Sequence, residues 1–181
     1  VRETVGMVDV STLGKIAVQG PDAGEFLNRV YVNGFGKLAV GRCRYGVMLR
    51  DDGMVFDDGV TWRLSETDYM MTATTAQAAG VLQWLETLLQ GRWPELRVHV
   101  ASTTDQWAGV AVAGPRARAV LQRVVRDCDL SDAGLPFMGI AHGRLRSAAG
   151  DVPVMIGRIS FSGERAFEVY AGAGHGPLLW E

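Results

Sequence analysis

Two adjacent carboxylates, Asp57 and Asp58, are the first candidates for proton-transfer chemistry. They follow a short apolar strand in the stretch LRDDGMVFDDGVTW, residues 49–62. Neighbouring residues of a strand point to opposite faces, so Asp57 should share a face with Val55, and Asp58 should share the other with Phe56. At most one of the two aspartates can therefore face a ligand on a given side. The alternative is that the pair and the glycine after it only form a turn.

Glu164 is the third candidate, in the phrase ISFSGERAFEV. The dipeptide Ser162-Gly163 just before it predicts a bend. A carboxylate on such a loop can accept two parallel N–H bonds from a planar heterocycle. The alternative is a solvated charge beside Arg165.

Cysteine and histidine indicate neither a metal site nor a disulfide framework. Cys43 and Cys128 are far apart and belong to no C-x-x-C or histidine-spaced pattern. We expect both thiols to be reduced, which indicates a cytoplasmic location. The three histidines are equally isolated in the sequence: His99, His142 and His175.

Composition narrows the class of protein. The chain has 181 residues, of which 48% are hydrophobic, and this is enough to bury a core. Its net charge is −2 and its basic residues are scattered, so nucleic acid is not expected as a partner. No window approaches about eighteen consecutive apolar residues, so a membrane is not expected either. The start at Val1 and the last residues, GPLLWE, predict a fragment truncated at both ends.

A hairpin is predicted just before the two aspartates. The dipeptide Asp52-Gly53 tolerates positive φ at both centres of a type I′ turn, and apolar residues flank it. The strand before the turn is predicted over 42–49. Further strands are predicted over 60–64 and 69–74, followed by a helix over 76–90.

One phrase occurs twice in the chain. Residues 15–30, KIAVQGPDAGEFLNRV, and residues 109–125, GVAVAGPRARAVLQRVV, each predict a strand, a Gly-Pro pair and a helix. In the second copy Val120, Leu121 and Val124 are predicted to face inward. The two copies indicate an internal duplication with approximate repeats 1–90 and 91–181. Helices alternate irregularly with hairpins, so we predict an α+β fold of two packed subdomains with mixed or antiparallel sheets.

Five phrases in order resemble the tetrahydrofolate-binding aminomethyltransferase family, typified by the glycine-cleavage T-protein. They are MVDVSTLGKIAVQGPDA, DDGMVFDDG, DYMMTATTA, VAVAGPRA and GRISFSGERAFEVY. The similarity covers nearly the whole chain and implies two α+β subdomains with exchanged first strands. Where T-proteins tend to read D-V-S-H-M, V-N-A and G-Y-T-G-E, this chain reads DVSTL, MTA and SFSGE. These variants look most like the folate domain of the heterotetrameric sarcosine oxidase α subunit.

The resemblance also implies roles for individual residues. It places Asp57 on the family's catalytic aspartate and Glu164 on its pterin-binding glutamate. Asp58 would then hold the turn. Four further positions are expected to line the folate pocket: Leu13, Tyr45, Thr72 and Phe161.

The implied reaction is a one-carbon transfer within a larger enzyme. A flavin elsewhere in the complex would oxidise sarcosine to an iminium ion, and tetrahydrofolate bound here would take up its carbon as 5,10-methylenetetrahydrofolate and release glycine. Flavin and NAD sites would lie outside this segment, and the other sarcosine oxidase subunits would be partners. Three alternatives stay open: a T-protein-like aminomethyltransferase, a folate-binding domain without transfer, and a domain that only docks partner subunits.

Overall fold

The computed structural model describes residues 1–147 and 150–181, and within them the chain forms four α-helices and eleven β-strands. In chain order these are β1 Gly6–Asp9, β2 Gly14–Gln19, α1 Ala23–Val30, β3 Arg42–Leu49, β4 Val55–Arg63, β5 Asp68–Ala73, α2 Ala78–Thr87, β6 His99–Ser102, β7 Trp107–Ala113, α3 Ala117–Val124, β8 Val125–Arg126, β9 Ile140–Leu145, β10 Val152–Gly157, β11 Ala166–Gly172 and α4 Gly176–Trp180. They build two antiparallel sheets, which confirms the predicted α+β class. None of the helices described is long and apolar enough to cross a membrane.

Residues Thr12–Thr104 form one compact unit. Its sheet has the strand order β3-β4-β5-β2-β6, and α1 and α2 contribute to its hydrophobic core. The predicted helix over 76–90 is present as a 3-10 turn at Thr75–Gln77, then α2, then a π-helical segment at Leu88–Arg92. The apolar spacing that predicted it corresponds to residues of the core: Val81, Leu85 and Leu88 are buried, and Leu82 and Leu89 pack against them.

Residues Val1–Ser11 and Asp105–Glu181 form the second compact unit, with the strand order β1-β7-β11-β10-β9-β8. Of the three α3 residues predicted to face inward, only Leu121 is buried in the core. Ala117 is buried with it one turn earlier, so the stripe from Ala117 to Leu121 is the face that meets the sheet. Val120 and Val124 flank that stripe and line an open apolar groove of the same unit.

Two strands pair outside their own sequence repeat. β1 precedes the first Gly-Pro phrase but pairs with β7, which belongs to the second. β6 precedes the second phrase but pairs with β2, which belongs to the first. The first strand of each repeat therefore completes the sheet of the other repeat.

The chain reverses at residues 50–54, but the turn differs from the predicted type I′. The N–H of Gly53 donates to the carbonyl of Arg50 at 2.9 Å, so Asp51 and Asp52 are the central residues. Only Gly53 has a positive φ, of 81°. Asp52 instead accepts the N–H of Met54 through Oδ1 at 2.9 Å, and this Asx contact holds it outside the left-handed region. A turn followed by one left-handed glycine is the usual three-residue hairpin loop.

Candidate functional site

The Asp57 carboxylate lies on the core side of the first unit. Asp57 pairs in register with Met48, which belongs to the hydrophobic core, and Asp57 itself is only 5% exposed. Its Oδ2 accepts the N–H of Thr74 at 3.1 Å. Thr74 follows β5 and precedes the 3-10 turn. This contact ties β4 to the start of the helical segment.

Asp58, one residue later, is exposed. It pairs in register with Val47 and accepts a hydrogen bond at 2.7 Å from the Tyr45 hydroxyl through Oδ2. That hydrogen bond raises the pKa of Tyr45, because it favours the protonated phenol. The expectation that Asp58 holds a turn is wrong, because residues 57–59 lie inside β4, where their backbone continues the ladder with β3.

Thr72 connects β4 and β5 where their ladder ends. The last paired residues on this side are Thr61 and Met71. Beyond them the Thr72 hydroxyl accepts the N–H of Val60 at 3.0 Å and donates to the carbonyl of Val60 at 3.1 Å. The Thr72 hydroxyl therefore takes the place of a backbone partner from β5 for the N–H and carbonyl of Val60. Thr72 is buried, and β4 approaches so closely that a Cβ on Gly59 would lie 2.0 Å from the Thr72 carbonyl oxygen.

Leu13, which directly precedes β2, is half-buried. It lies close in sequence to two contacts with the end of β5: Gly14 pairs with Ala73, and the hydroxyls of Thr12 and Thr75 are 3.4 Å apart. The chain around Leu13 is therefore next to the segment that Asp57 binds.

Two side chains near these residues escaped the sequence analysis. Lys15 is fully buried and pairs in register with Thr72. The signal that could have marked this residue is a lysine at the start of the apolar run KIAV, since a buried charge requires compensation. Tyr31 is buried with its ring over Gly46. Burial raises the pKa of Tyr31; an interaction with Thr61 opposes the rise, and the charges of both aspartates add to it. No sequence pattern distinguishes Tyr31.

Glu164 lies in the second unit, in the loop between β10 and β11. Its side chain is only 10% exposed, and Oε1 lies 2.9 Å from Nη1 of Arg2. Oε2 is buried without a hydrogen-bond partner among the residues that the structure describes. The nearby Ser162 hydroxyl, the backbone and Arg2 lower the pKa of Glu164. The group is thus an anion with one acceptor oxygen available. Phe161, in the same loop, is fully exposed.

The candidate residues divide between the two units. Leu13, Tyr45, Asp57 and Thr72 belong to the unit of residues 12–104, and Phe161 and Glu164 belong to the other. The first unit offers an exposed carboxylate with a phenol donor, which can accept a proton. The second offers a buried acceptor for N–H donors. In residues 1–147 and 150–181 no group of three or more His, Cys, Asp or Glu side chains could hold a metal ion.

Comparisons with known proteins agree on one family. The family model described as the GCVT N-terminal domain matches residues 1–181. The sarcosine oxidase subunit alpha of Corynebacterium sp. (strain P-1) is 53% identical over 181 residues, which are 100% of this chain and 18% of that protein. The aminomethyltransferase of Streptomyces coelicolor is 35% identical over 181 residues, 100% of this chain and 46% of that protein.

Among solved structures, the glycine cleavage system aminomethyltransferase T of Bartonella henselae superposes with a TM-score of 0.79 at 28% identity. The match covers 99% of this chain and 45% of that one. The chain thus spans less than half the length of each of these relatives.

Proposed function

The chain belongs to the family of the GCVT N-terminal domain, and on that premise we propose that it is a tetrahydrofolate-binding domain of a sarcosine oxidase-like enzyme. Its role would be to transfer the one-carbon unit of oxidised sarcosine to tetrahydrofolate. The higher identity to a sarcosine oxidase subunit alpha, 53% against 35% for an aminomethyltransferase, supports the oxidase over the glycine-cleavage reaction.

One observation carries the folate assignment: the buried, unpartnered Oε2 of Glu164. A buried acceptor without a donor is costly, so the site favours a ligand that brings N–H groups to it. The 2-amino and N3 hydrogens of a pterin are such donors; Oε2 of the ionised glutamate can accept one of them, and the other would share Oε1 with Arg2. The low pKa of Glu164 keeps it ionised at neutral pH. Phe161, exposed in the same loop, offers a ring face against which a flat heterocycle can pack.

Tetrahydrofolate, when bound, supplies the nitrogen nucleophiles that receive the one-carbon unit. The protein must then accept a proton and stabilise positive charge nearby, and a carboxylate can do both. The resemblance assigns this role to Asp57. The contacts favour Asp58 instead, because it is exposed and hydrogen-bonded to Tyr45, a predicted pocket residue. Asp57 accepts the Thr74 N–H on the core side, and its role in this proposal is structural.

The remaining pocket residues have supporting roles in this proposal. Tyr45 orients the Asp58 carboxylate through its hydroxyl. Thr72 fixes the spacing of β4 and β5, and Leu13 would provide an apolar contact for the ligand. The flavin and NAD that oxidation requires would bind elsewhere in the longer protein or its partners. Those partners would be the other subunits of the oxidase, in the cytoplasm.

The folate assignment is tested by Glu164→Gln in the full-length protein. Glutamine keeps the shape but presents an NH₂ group to the pterin donors. The Kd for tetrahydrofolate should rise about 10- to 100-fold, which corresponds to the loss of one hydrogen bond to a charged acceptor. Glu86→Gln on the exposed side of α2 is the matched control. Equal affinity of the two variants would refute the role of Glu164.

The two aspartates are separated by comparing Asp57→Asn with Asp58→Asn. Asparagine at 57 retains an oxygen for the Thr74 N–H, so transfer should persist. Asparagine at 58 removes the proton acceptor. The rate of methylenetetrahydrofolate formation should therefore fall by about 10²- to 10⁴-fold, and its yield per sarcosine oxidised should fall with it, while folate affinity changes little. Loss in Asp57→Asn with normal transfer in Asp58→Asn would establish Asp57 as the base.

A further inference from the structure

The loop that carries Glu164 and Phe161 begins and ends at an arginine. Arg158 follows β10, and Arg165 precedes β11. Ser160, Phe161 and Ser162 lie between them without strand hydrogen bonding. Two residues of the proposed folate site therefore depend on how the base of this loop is held.

Both arginines bind the same carboxylate, that of Asp132. Arg158 Nη1 lies 2.6 Å from Oδ1, and Arg165 Nη2 lies 3.7 Å from Oδ2. A third guanidinium, that of Arg118 on α3, donates to Oδ1 through Nη2. Arg118 and Arg158 are largely buried, although the side chain of Asp132 is 60% exposed. One carboxylate thus joins the two ends of the loop and attaches them to α3.

Backbone hydrogen bonds support the same two points. The carbonyl of Arg158 accepts the N–H of Met138 at 2.9 Å, and its own N–H donates to Gly139 at 3.0 Å. The carbonyl of Arg165 accepts the N–H of Gly114 at 2.9 Å. These bonds fix the main chain at each end, and Asp132 connects one arginine side chain to the other.

We propose that Asp132 is a positioning residue for folate binding: by holding Arg158 and Arg165 together it fixes the loop that presents Glu164 and Phe161. This inference rests on the proposed function. Without the carboxylate, three guanidiniums that converge on one point would repel each other, and the loop beyond the last β10–β11 pair, Gly157 with Glu168, would lose its side-chain anchor. Asp132 would not touch the ligand; its effect would reach the pterin through Glu164.

The charge of Asp132 is present at every working pH. Hydrogen bonding to Arg118, with the charges of all three arginines, lowers the pKa of Asp132 to about 2. Asparagine at this position is close to isosteric but neutral. It therefore removes the attraction without opening space, and it isolates the electrostatic part of the contact.

The test compares Asp132→Asn with wild type in the full-length protein. We expect the Kd for tetrahydrofolate to rise about tenfold, while kcat for sarcosine oxidation without folate stays unchanged. Asp132→Glu, which retains the anion, should recover most of the affinity. The control is Asp151→Asn in the same unit, where the carboxylate lies 4.0 Å from Arg126 and touches neither end of the loop.

Hydrogen exchange provides a readout that does not depend on folate. In Asp132→Asn, the hydrogen-bonded amides of Met138, Arg158 and Gly163, at the base of the loop and within it, should exchange about tenfold faster or more, whereas those of β9 should not change. Arg165→Gln removes one arginine from Asp132 but leaves the salt bridges to Arg118 and Arg158, and it should also accelerate exchange. This variant tests the inference if Asp132→Asn does not fold. Unchanged exchange and unchanged Kd would overturn the inference. If wild type binds no tetrahydrofolate, the proposed function fails, and exchange alone decides whether Asp132 holds the loop.

Discussion

Thr72→Val should destabilise the protein although it replaces the residue with one of the same shape. The Thr72 hydroxyl makes two hydrogen bonds to the backbone of Val60, one as acceptor at 3.0 Å and one as donor at 3.1 Å. Valine leaves both backbone groups of Val60 without this partner. Thr72 is buried, so water cannot readily replace the hydroxyl at its own position.

The magnitude follows from these contacts. Each hydrogen bond contributes about 0.5–1.5 kcal/mol net, and a buried polar group without a partner costs about 1–3 kcal/mol. Val60 is only half-buried, so its groups recover part of this from solvent. We expect a loss of about 2–3 kcal/mol in the free energy of unfolding. Thr72→Ser keeps the hydroxyl and removes one methyl group, which should cost about 1 kcal/mol.

The assay is urea unfolding of the full-length variants, combined with hydrogen exchange at the Val60 amide. That amide should lose protection in Thr72→Val and keep it in Thr72→Ser. Equal stability and equal Val60 protection in the two variants would refute the proposed role of the hydroxyl. A Kd for tetrahydrofolate that stays within about twofold in Thr72→Val, which lacks the hydroxyl, would further separate the structural role of the hydroxyl from a ligand contact.

Two other predictions rest on equally local contacts. Gly59→Ala should destabilise the protein by about 3 kcal/mol, since its Cβ would lie 2.0 Å from a backbone carbonyl that cannot move without the sheet. Thermal unfolding measures this effect. The control is Gly91→Ala, where a Cβ meets nothing within 4 Å. The pKa of Asp132 is lowered to about 2 from 3.8, so its stabilising contribution is complete above about pH 4 and disappears as the pH falls through 2. Acid titration of wild type and Asp132→Asn should therefore give stability curves that converge toward pH 2.

The sequence predicted the elements better than it predicted how they pair. The sequence pattern identified β3 over the observed residues and α2 within the predicted helical range, because short-range apolar spacing determines both. The exchange of β1 and β6 follows from the family resemblance and from no local pattern. The sequence of a strand indicates which of its faces is buried, but it does not indicate which neighbouring strand it pairs with.

The same limit applies to the site. Tyr45 could be selected through the resemblance, but its hydrogen bond to Asp58 depends on the register of β3 against β4. Arg158, Arg165 and Asp132 converge from separate parts of the second unit, and no spacing in the sequence indicates that they meet. Long-range electrostatic contacts of this kind are visible only after folding.

Which aspartate becomes buried is decided by one irregular residue. The hairpin turn pairs Leu49 with Val55, and a regular ladder from there would pair Met48 with Phe56. Instead Met48 pairs with Asp57, so Phe56 is an extra residue in β4, and it packs against Trp84 on the core side.

The shift of one residue reverses the two carboxylates. In a regular ladder Asp57 would take the position opposite Val47, which Asp58 occupies in the structure with its hydrogen bond to Tyr45. The bulge therefore buries Asp57 and exposes Asp58, because adjacent strand residues face opposite sides. Strict alternation correctly separates the two acids, but the prediction that Asp57 shares a face with Val55 is wrong, because the bulge places Asp57 on the core side while Val55 and Asp58 are exposed. It could not say which of them is buried, since that choice depends on the bulge at Phe56, which no local sequence pattern predicts.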